Sequence, residues 1–204
     1  MTKLDATRAG AKGREEATEA LLDAAERMLV RDGYPRITTR RVAAEAGVNH
    51  GLVHYYFGSM EELLLQVLER FTGRLVARQR EMYEADLPFI EKWRSAMAYL
   101  DEDLRAGYPK VWLELQAMSW NNPEMRERLV AVDGEWRSTL RAAFDRALQE
   151  YGLDRDAFPL EAVVSLVITF NKGIELEQLS GIRSGHRELL AWIDDWLSSQ
   201  GEAA

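Results

Sequence analysis

From Arg14 to Arg31, apolar residues return every third or fourth position (Ala17, Ala20, Leu21, Ala24, Ala25, Met28, Leu29), which predicts one amphipathic helix. Asp32-Gly33 ends it and Pro35 keeps it ended. Thr38 is suited to cap a short helix running to Ala46, with Val42, Ala43 and Ala46 inward and Gly47 as its stop. Asn49 can cap a second short helix reaching Phe57, where Val53 and Phe57 stand four apart; Gly58 breaks it. Ser59 and Glu62 then have capping-box spacing ahead of Leu63, Leu64, Val67, Leu68, Phe71 and Leu75, the core face of a long fourth helix. Further helices are predicted at about 88–104, 108–119, 123–151, 159–179 and 186–199, separated by proline and glycine. No stretch alternates as a half-buried strand would. The predicted fold class is all-α.

Charge divides this helical chain unevenly. Residues 1–58 carry nine Lys and Arg against eight Asp and Glu, whereas residues 59–204 carry 17 against 26; all six Trp lie beyond residue 90. A near-neutral front and an acidic, Trp-rich rear predict two domains, 1–58 (with an arm over about 1–13) and 59–204. The net charge of -8 argues against indiscriminate coating of nucleic acid, while leaving room for a local reading head. With no cysteine, disulfides, thiolate metal sites and a cysteine nucleophile are excluded. No apolar run approaches the roughly 18 residues that span a bilayer, and the first 20 residues are polar; neither a membrane span nor a signal peptide is expected, and the expected compartment is cytoplasmic.

Thr38 to Phe57 has the layout of a helix-turn-helix, with His50, Gly51, Leu52, His54 and Tyr55 on the outer face of its second helix. A helix that reads bases must enter a groove about 12 Å wide, and Gly51 slims its tip. That glycine costs about 1 kcal/mol of helix propensity relative to Ala, so something other than helix stability is expected to select it. Thr38, Arg40 and Arg41 put a hydroxyl and two cations at the N-terminal end of the preceding helix, a place that favours phosphate. Lys3, Arg8, Lys12 and Arg14 are placed to reach neighbouring phosphates or a minor groove.

The run from Ile37 through Thr38, Arg40, Gly47, Asn49, Tyr55, Tyr56, Phe57 and Gly58 to Leu64, with the Asp32-Gly33-Tyr34 turn before it, resembles the DNA-binding domain of the TetR family of bacterial transcriptional regulators. The close likeness covers about residues 14–70. It implies a subunit of about nine helices: an N-terminal three-helix DNA-binding domain, then a larger helical ligand-binding and dimerisation domain. It also implies a homodimer on a palindromic double-stranded DNA operator, usually repression, and release by a small-molecule inducer. By position, Thr38 resembles the cap that meets phosphate, and Asn49 stands where the family commonly has Ser. His50, Gly51 and Leu52 fall at base-facing positions, while Tyr55 and Tyr56 match an aromatic pair along the DNA backbone. Two departures stand out: His54 replaces a usual Tyr, and Met60 replaces a usual phosphate-contacting Lys.

For the rear section, the resemblance puts an inducer cavity among the helices near 108–178. Candidate ligand-binding residues are Trp93, Met97, Trp112, Glu114, Met118, Trp136, Phe170 and Asn171, which suit an inducer with a substantial apolar or aromatic part. Equally, the aromatic stripe can be solid core and Glu114 can pair with Lys110. The last two long helices are apolar over much of their circumference, so more than one side needs covering. Val163, Val167, Phe170 and Ile174, with Leu189, Ile193, Trp196 and Leu197, are the expected dimer interface; Ala162, Leu166, Thr169 and Gly173 broaden the first helix's face. His50 and His54 have zinc-chelating spacing but lack a third ligand nearby, so no metal is expected. No phosphate-loop, dinucleotide, nucleophile-elbow or zincin motif occurs, and neither a cofactor nor catalysis is expected. Alongside the regulator, two readings stay open: a helical ligand-binding or scaffold protein with little DNA affinity, and a helical enzyme.

Overall fold

The computed structural model describes the backbone of residues 3–203 and the side chains of 12–201. Among the described residues the regular structure is helical throughout: α1 (Lys3–Asp32), a 3-10 turn (Tyr34–Arg36), α2 (Thr39–Ala46), α3 (Gly51–Phe57), α4 (Met60–Glu84), α5 (Phe89–Ala106), α6 (Tyr108–Ser119), α7 (Pro123–Glu150), α8 (Leu160–Leu179) and α9 (His186–Ala203). The all-α expectation is met. One boundary differs: α1 begins at Lys3 and takes in most of the expected arm. The side chains of Lys3 and Arg8 lie outside the described residues.

Two compact units emerge, Met1–Phe71 with Lys110–Arg128, and Thr72–Pro109 with Leu129–Ala204. The expected boundary after residue 58 therefore falls inside the first unit, because α4, α6 and α7 each contribute residues to both.

In the first unit, Leu21, Ala24, Ala25, Met28 and Leu29 of α1 are buried, as the three-four spacing requires, with Val42, Val53, Phe57, Leu64, Val67 and Leu68. Burial of each large aliphatic or aromatic side chain is worth about 1.5–3 kcal/mol. Arg70 of α4 answers three acids of α1, reaching Glu19 at 3.0 Å, Asp23 at 2.8 Å and Glu26 at 2.8 Å. Arg128 of α7 bonds Glu62 and, at 2.6 Å, Glu69 of α4. Ser59 caps α4 as expected, its Oγ accepting the Glu62 N–H at 3.0 Å. The Glu62 carboxylate goes to Gln66 and Arg128, so the capping box is one-sided.

The second unit is built on an aromatic core. Phe89 meets Phe144 edge-on at 5.2 Å and Tyr151 at 5.9 Å, and Trp93, Val164, Ile168 and Leu197 belong to the same buried cluster. Pro88 provides no side-chain cap for α5, and the Glu150 carboxylate takes over by accepting the Phe89 N–H at 2.8 Å. Arg78 donates to both oxygens of buried Asp103 at 2.7 Å and lies 4.0 Å over the Tyr99 ring.

Candidate functional site

The helix-turn-helix is held by local bonds. Thr38 is extended (φ -140°, ψ 149°), and its Oγ accepts the Arg41 N–H at 3.3 Å, the expected N-cap of α2. At the other end Gly47 adopts φ 69°, its N–H bonds Ala44 O at 3.2 Å and the Val48 N–H bonds Ala43 O at 3.0 Å. This is a Schellman stop, and the left-handed residue in it is the glycine that the pattern required. Asn49 Oδ1 then accepts the Gly51 N–H at 2.9 Å, closing the start of α3. Val53 and Phe57 are buried beneath. What faces outward is Asn49, His50, Gly51, His54 and Tyr55, with Leu52 and Tyr56 half-covered. A Cβ on Gly51 would meet only Asn49 Oδ1, at 3.4 Å, so the fold itself does not demand glycine there.

The cations differ in freedom. Arg40 is exposed and makes no hydrogen bond or ion pair among the described residues. Arg41 is tied inward, donating to the Arg36 carbonyl at 2.6 Å and to Asp32 at 2.9 Å; its guanidinium braces the turn before α2. Asp32 is held below the usual carboxylate range by hydrogen bonds from Arg31 first and Arg41 after it, with burial opposing. Tyr55 is 71% exposed and packs edge-on against Tyr56 at 5.0 Å, while Arg14 lies 5.6 Å over the Tyr56 ring. Tyr56 is therefore a wedge between α1 and Tyr55, leaving Tyr55 as the outward member of the pair. His54 Nδ1 is 3.0 Å from Gly58 O, an acceptor, so Nδ1 carries the proton. Its Nε2 is then an acceptor in the neutral ring and donates to phosphate only in the imidazolium form. Among the described residues no three His, Asp or Glu side chains converge as a metal site.

Comparison with known proteins decides what this reading head belongs to. The model of the tetR family of bacterial regulatory proteins matches residues 21–67, and that of the C-terminal domain of BetI-type transcriptional repressors matches 94–202. The chain belongs to the TetR family of bacterial transcriptional regulators. The helix-turn-helix regulator YfiR of Bacillus subtilis is 30% identical over 165 residues, 76% of either chain. The regulator BetI of Rhizobium meliloti is 40% identical over 132 residues, 60% of this chain and 61% of that one. Among solved structures, FadR of Bacillus subtilis in complex with stearoyl-CoA superposes with a TM-score of 0.71 at 17% identity, covering 89% of this chain and 98% of that one. A regulator from Saccharomonospora viridis in complex with choline does so with a TM-score of 0.68 at 22% identity, covering 91% and 95%. These two likenesses show a shared TetR fold.

Within this TetR-family regulator the expected ligand residues fall in both units. Trp112, Glu114 and Met118 belong to the first unit; Trp93, Met97, Trp136, Phe170 and Asn171 belong to the second. Met97, Trp136 and Phe170 pack around the buried cluster that holds Trp93, with Trp93 and Phe170 at 6.4 Å and Trp136 Nε1 donating to Gln79 at 2.6 Å. Glu114 does something else. Its Oε2 accepts the Tyr34 N–H at 2.7 Å, while Lys110 Nζ donates to the Val30 carbonyl at 3.0 Å. The turn after α1 exposes unsatisfied backbone groups, and α6 supplies one acceptor and one donor for them. Gly33 fits the same contact: with φ 77°, a Cβ there would stand 2.9 Å from Glu114 Oε1.

The expected dimer face also needs correcting. Ile174 and Leu197 are buried within the subunit, and Val163, Val167, Phe170 and Ile193 pack against its core. The side of α8 left open carries Ala162, Leu166, Thr169, Gly173 and Leu176; α9 adds Leu189, Trp192 and Trp196. Trp192 and Glu175 are the functional candidates that sequence reasoning missed. Only Trp192 had a legible signal, four residues before Trp196. No helix among the described residues is long and apolar enough to cross a membrane.

Proposed function

We propose that this protein is a ligand-responsive repressor that binds a palindromic operator as a homodimer and is released by a small-molecule inducer with a substantial apolar or aromatic part. The observation that carries the reading is the outer face of α3, where His50, Gly51, His54 and Tyr55 project from a helix anchored by buried Val53 and Phe57. Arg40 and the Thr38 end of α2 supply phosphate contacts beside it. Two such heads related by a twofold axis read half-sites about 34–36 Å apart. The open apolar face of α8 and α9 supports self-association, and the match to BetI-type repressors supports the repressing sign. The complexes of its structural neighbours with choline and stearoyl-CoA support a ligand site in this fold without choosing the compound. α4, α6 and α7, which contribute residues to both units, are the route by which ligand state reaches the head. Such a protein acts on chromosomal DNA in the cytoplasm and performs no catalysis.

The test is selection of bound fragments from the genome, followed by fluorescence anisotropy on the recovered sequence. Salt-dependent binding to a palindrome, weakened by a compound connected to the neighbouring genes, is the expected result. A second reading, a ligand-binding protein with little DNA affinity, is favoured by the committed Arg41 guanidinium, the His54 Nδ1 tied to the Gly58 carbonyl, and Met60. Recovery of no enriched fragment establishes that reading instead.

A further inference from the structure

At 100° per residue, the inner arc of α8 carries Val163, Val164, Val167, Ile168 and Ile174, and Asn171 falls at its middle with Glu175 one turn on. A stripe that is wholly aliphatic up to Ile168 thus takes in an amide and a carboxyl beside Ile174. Asn171 Oδ1 is fully buried and accepts no hydrogen bond. Glu175 makes no hydrogen bond or ion pair among the described residues. Both are polar groups on a core-facing surface, where an unmet acceptor is costly.

The charges around them do not compensate. Three carboxyls, those of Asp103 on α5, Asp133 on α7 and Glu175, act on Tyr108 at the start of α6, whose hydroxyl is 3.1 Å from Thr72 Oγ1 on α4. Against these stand Arg78, Lys172 and Arg137, each bonded to another carboxylate: Arg78 to Asp103, Lys172 to Asp133 at 2.7 Å, and Arg137 to Asp133 at 2.6 Å. Asp133 is accordingly held below the usual range: burial opposes its ionisation, and the bonds from Lys172 and Arg137 outweigh it. Glu175 has no cation bonded to it and shares the charge of Lys172 with Asp133. Burial, reinforced by Asp103 and opposed by Lys172, pushes it up to about 7.

We propose that Asn171 and Glu175 bind the ammonium group of a primary amine whose remainder is apolar or aromatic, an assignment that rests on the ligand-responsive reading above. An –NH3+ group brings one positive charge and three donors with no acceptor. Glu175 takes the charge, and Asn171 Oδ1, one helical turn away with Cβ atoms about 5–6 Å apart, takes an N–H. Other chemistries satisfy only part of the pair. A quaternary ammonium carries the charge but has no N–H for Asn171. An alcohol can donate to Asn171 but does not neutralise Glu175. A carboxylate meets only acceptors and like charge. Phe170, the residue before Asn171, lies 6.4 Å from Trp93 and supplies apolar surface for the rest of the ligand.

Isothermal titration calorimetry on the full chain tests this with four probes: phenethylamine, butylamine, 2-phenylethanol and benzyltrimethylammonium. At pH 7.5, phenethylamine is expected to bind at least about tenfold tighter than either the alcohol or the quaternary ion. Its affinity should fall about tenfold per pH unit below 7 as Glu175 takes up a proton. Glu175→Gln should abolish both the preference for amine over alcohol and the pH dependence. Asn171→Ala should abolish the preference for primary over quaternary nitrogen. The probe series and pH profile need no variant, so a misfolded mutant leaves the test intact. No binding by either amine, equal affinity for amine and alcohol, or an amine preference that survives Glu175→Gln overturns the assignment. Selected genomic DNA in the same samples separates the two levels of the argument. Release of that DNA by a compound of another class, with no amine preference, overturns the amine site and leaves the repressor standing. Absence of DNA binding overturns the repressor, while the amine preference is judged by calorimetry alone.

Discussion

The outward faces of α3 and of the α8–α9 pair are built on the same plan and end in opposite chemistry. Each stands on a buried apolar stripe, Val53 and Phe57 under α3, Val164, Ile168 and Leu197 under α8 and α9. Above the first stripe are His50, His54 and a Tyr55 that is 71% exposed, groups that water hydrates readily and that exchange water for phosphate or base edges. Above the second are Leu166 at 69% exposure and Trp192 at 66%, groups that water does not solvate favourably. A polar tip suits a wet polyanion, whereas a broad apolar face suits a dry protein surface. Periodicity alone shows that both helices have an inner side; the identity of the outer residues is what distinguishes the two outer sides.

The sharpest way to break this contrast is to put charge on the apolar face. Leu166→Glu together with Trp192→Glu is expected to yield a monomer, seen by analytical ultracentrifugation, because unpaired carboxylates would be buried on association. With one head per particle, operator affinity measured by anisotropy should fall about 1,000-fold, on the order of 4 kcal/mol. Since neither residue supports the subunit core, the helical signal should persist. A dimeric double variant would show that self-association uses another surface.

The inner side of α8 offers a second, slightly smaller effect. Glu175 has its folded pKa raised from 4.5 to about 7, so the native state prefers it protonated. Stability from this group is fully present below the unfolded pKa and is lost as pH rises through about 7, a change on the order of 3 kcal/mol. Glu175→Gln should therefore be more stable than the parent at pH 8, with the difference vanishing near pH 4. Urea melts at the two pH values check it; a constant difference would mean that Glu175 is ionised at both.

Tyr55→Ala probes the polar face. Loss of one exposed aromatic beside the DNA backbone should weaken operator binding about tenfold, or about 1.4 kcal/mol, without changing the melting temperature. Unchanged affinity in the folded variant would remove Tyr55 from the interface. Tyr56→Ala provides the contrast, because its ring sits under Arg14 and should affect stability as well.

How legible each face was follows from the range of the forces involved. The α2–α3 joint could be read because its determinants are local: a Thr38 cap, a left-handed Gly47 and the Asn49 contact all act within a few residues. Glu114 could not be read. A carboxylate on an otherwise apolar helix looks the same whether it faces a ligand or, as here, a backbone N–H 80 residues earlier in the chain. The phase of α8 was misread for a different reason. With Ala162, Leu166, Thr169 and Gly173 continuing the apolar arc of Val163, Val164, Val167, Ile168, Phe170 and Ile174 around most of the helix, spacing did not single out an inner arc, and only packing turned Leu166 outward and Ile174 inward. Glu175 was passed over because it and Glu177, two apart on a helix, do not point the same way and so make no carboxylate pair.

The smallest expected effect comes from Met60, where the reading head lacks a cation that its family usually has. Met60 is the first residue of α4, half-covered, beside the Ser59 cap and the exposed end of α3. A Lys there would add one positive charge next to helix N–H groups that already favour phosphate. Like other added phosphate contacts, it should strengthen specific and random DNA alike, and the slope of log affinity against log salt should steepen by about one unit. At the salt where parent and variant are compared, the gain should be only several-fold, since an exposed ion pair is worth about 1 kcal/mol or less. The slope is the more informative measurement, because it counts neutralised phosphates rather than summing all effects on affinity. An unchanged slope with unchanged affinity would place residue 60 away from the DNA backbone and confine the reading face to α2 and α3. A steeper slope with equal gains on operator and random sequence would put the N-terminus of α4 on the polar side of the contrast, as a positioning contact that carries no sequence information.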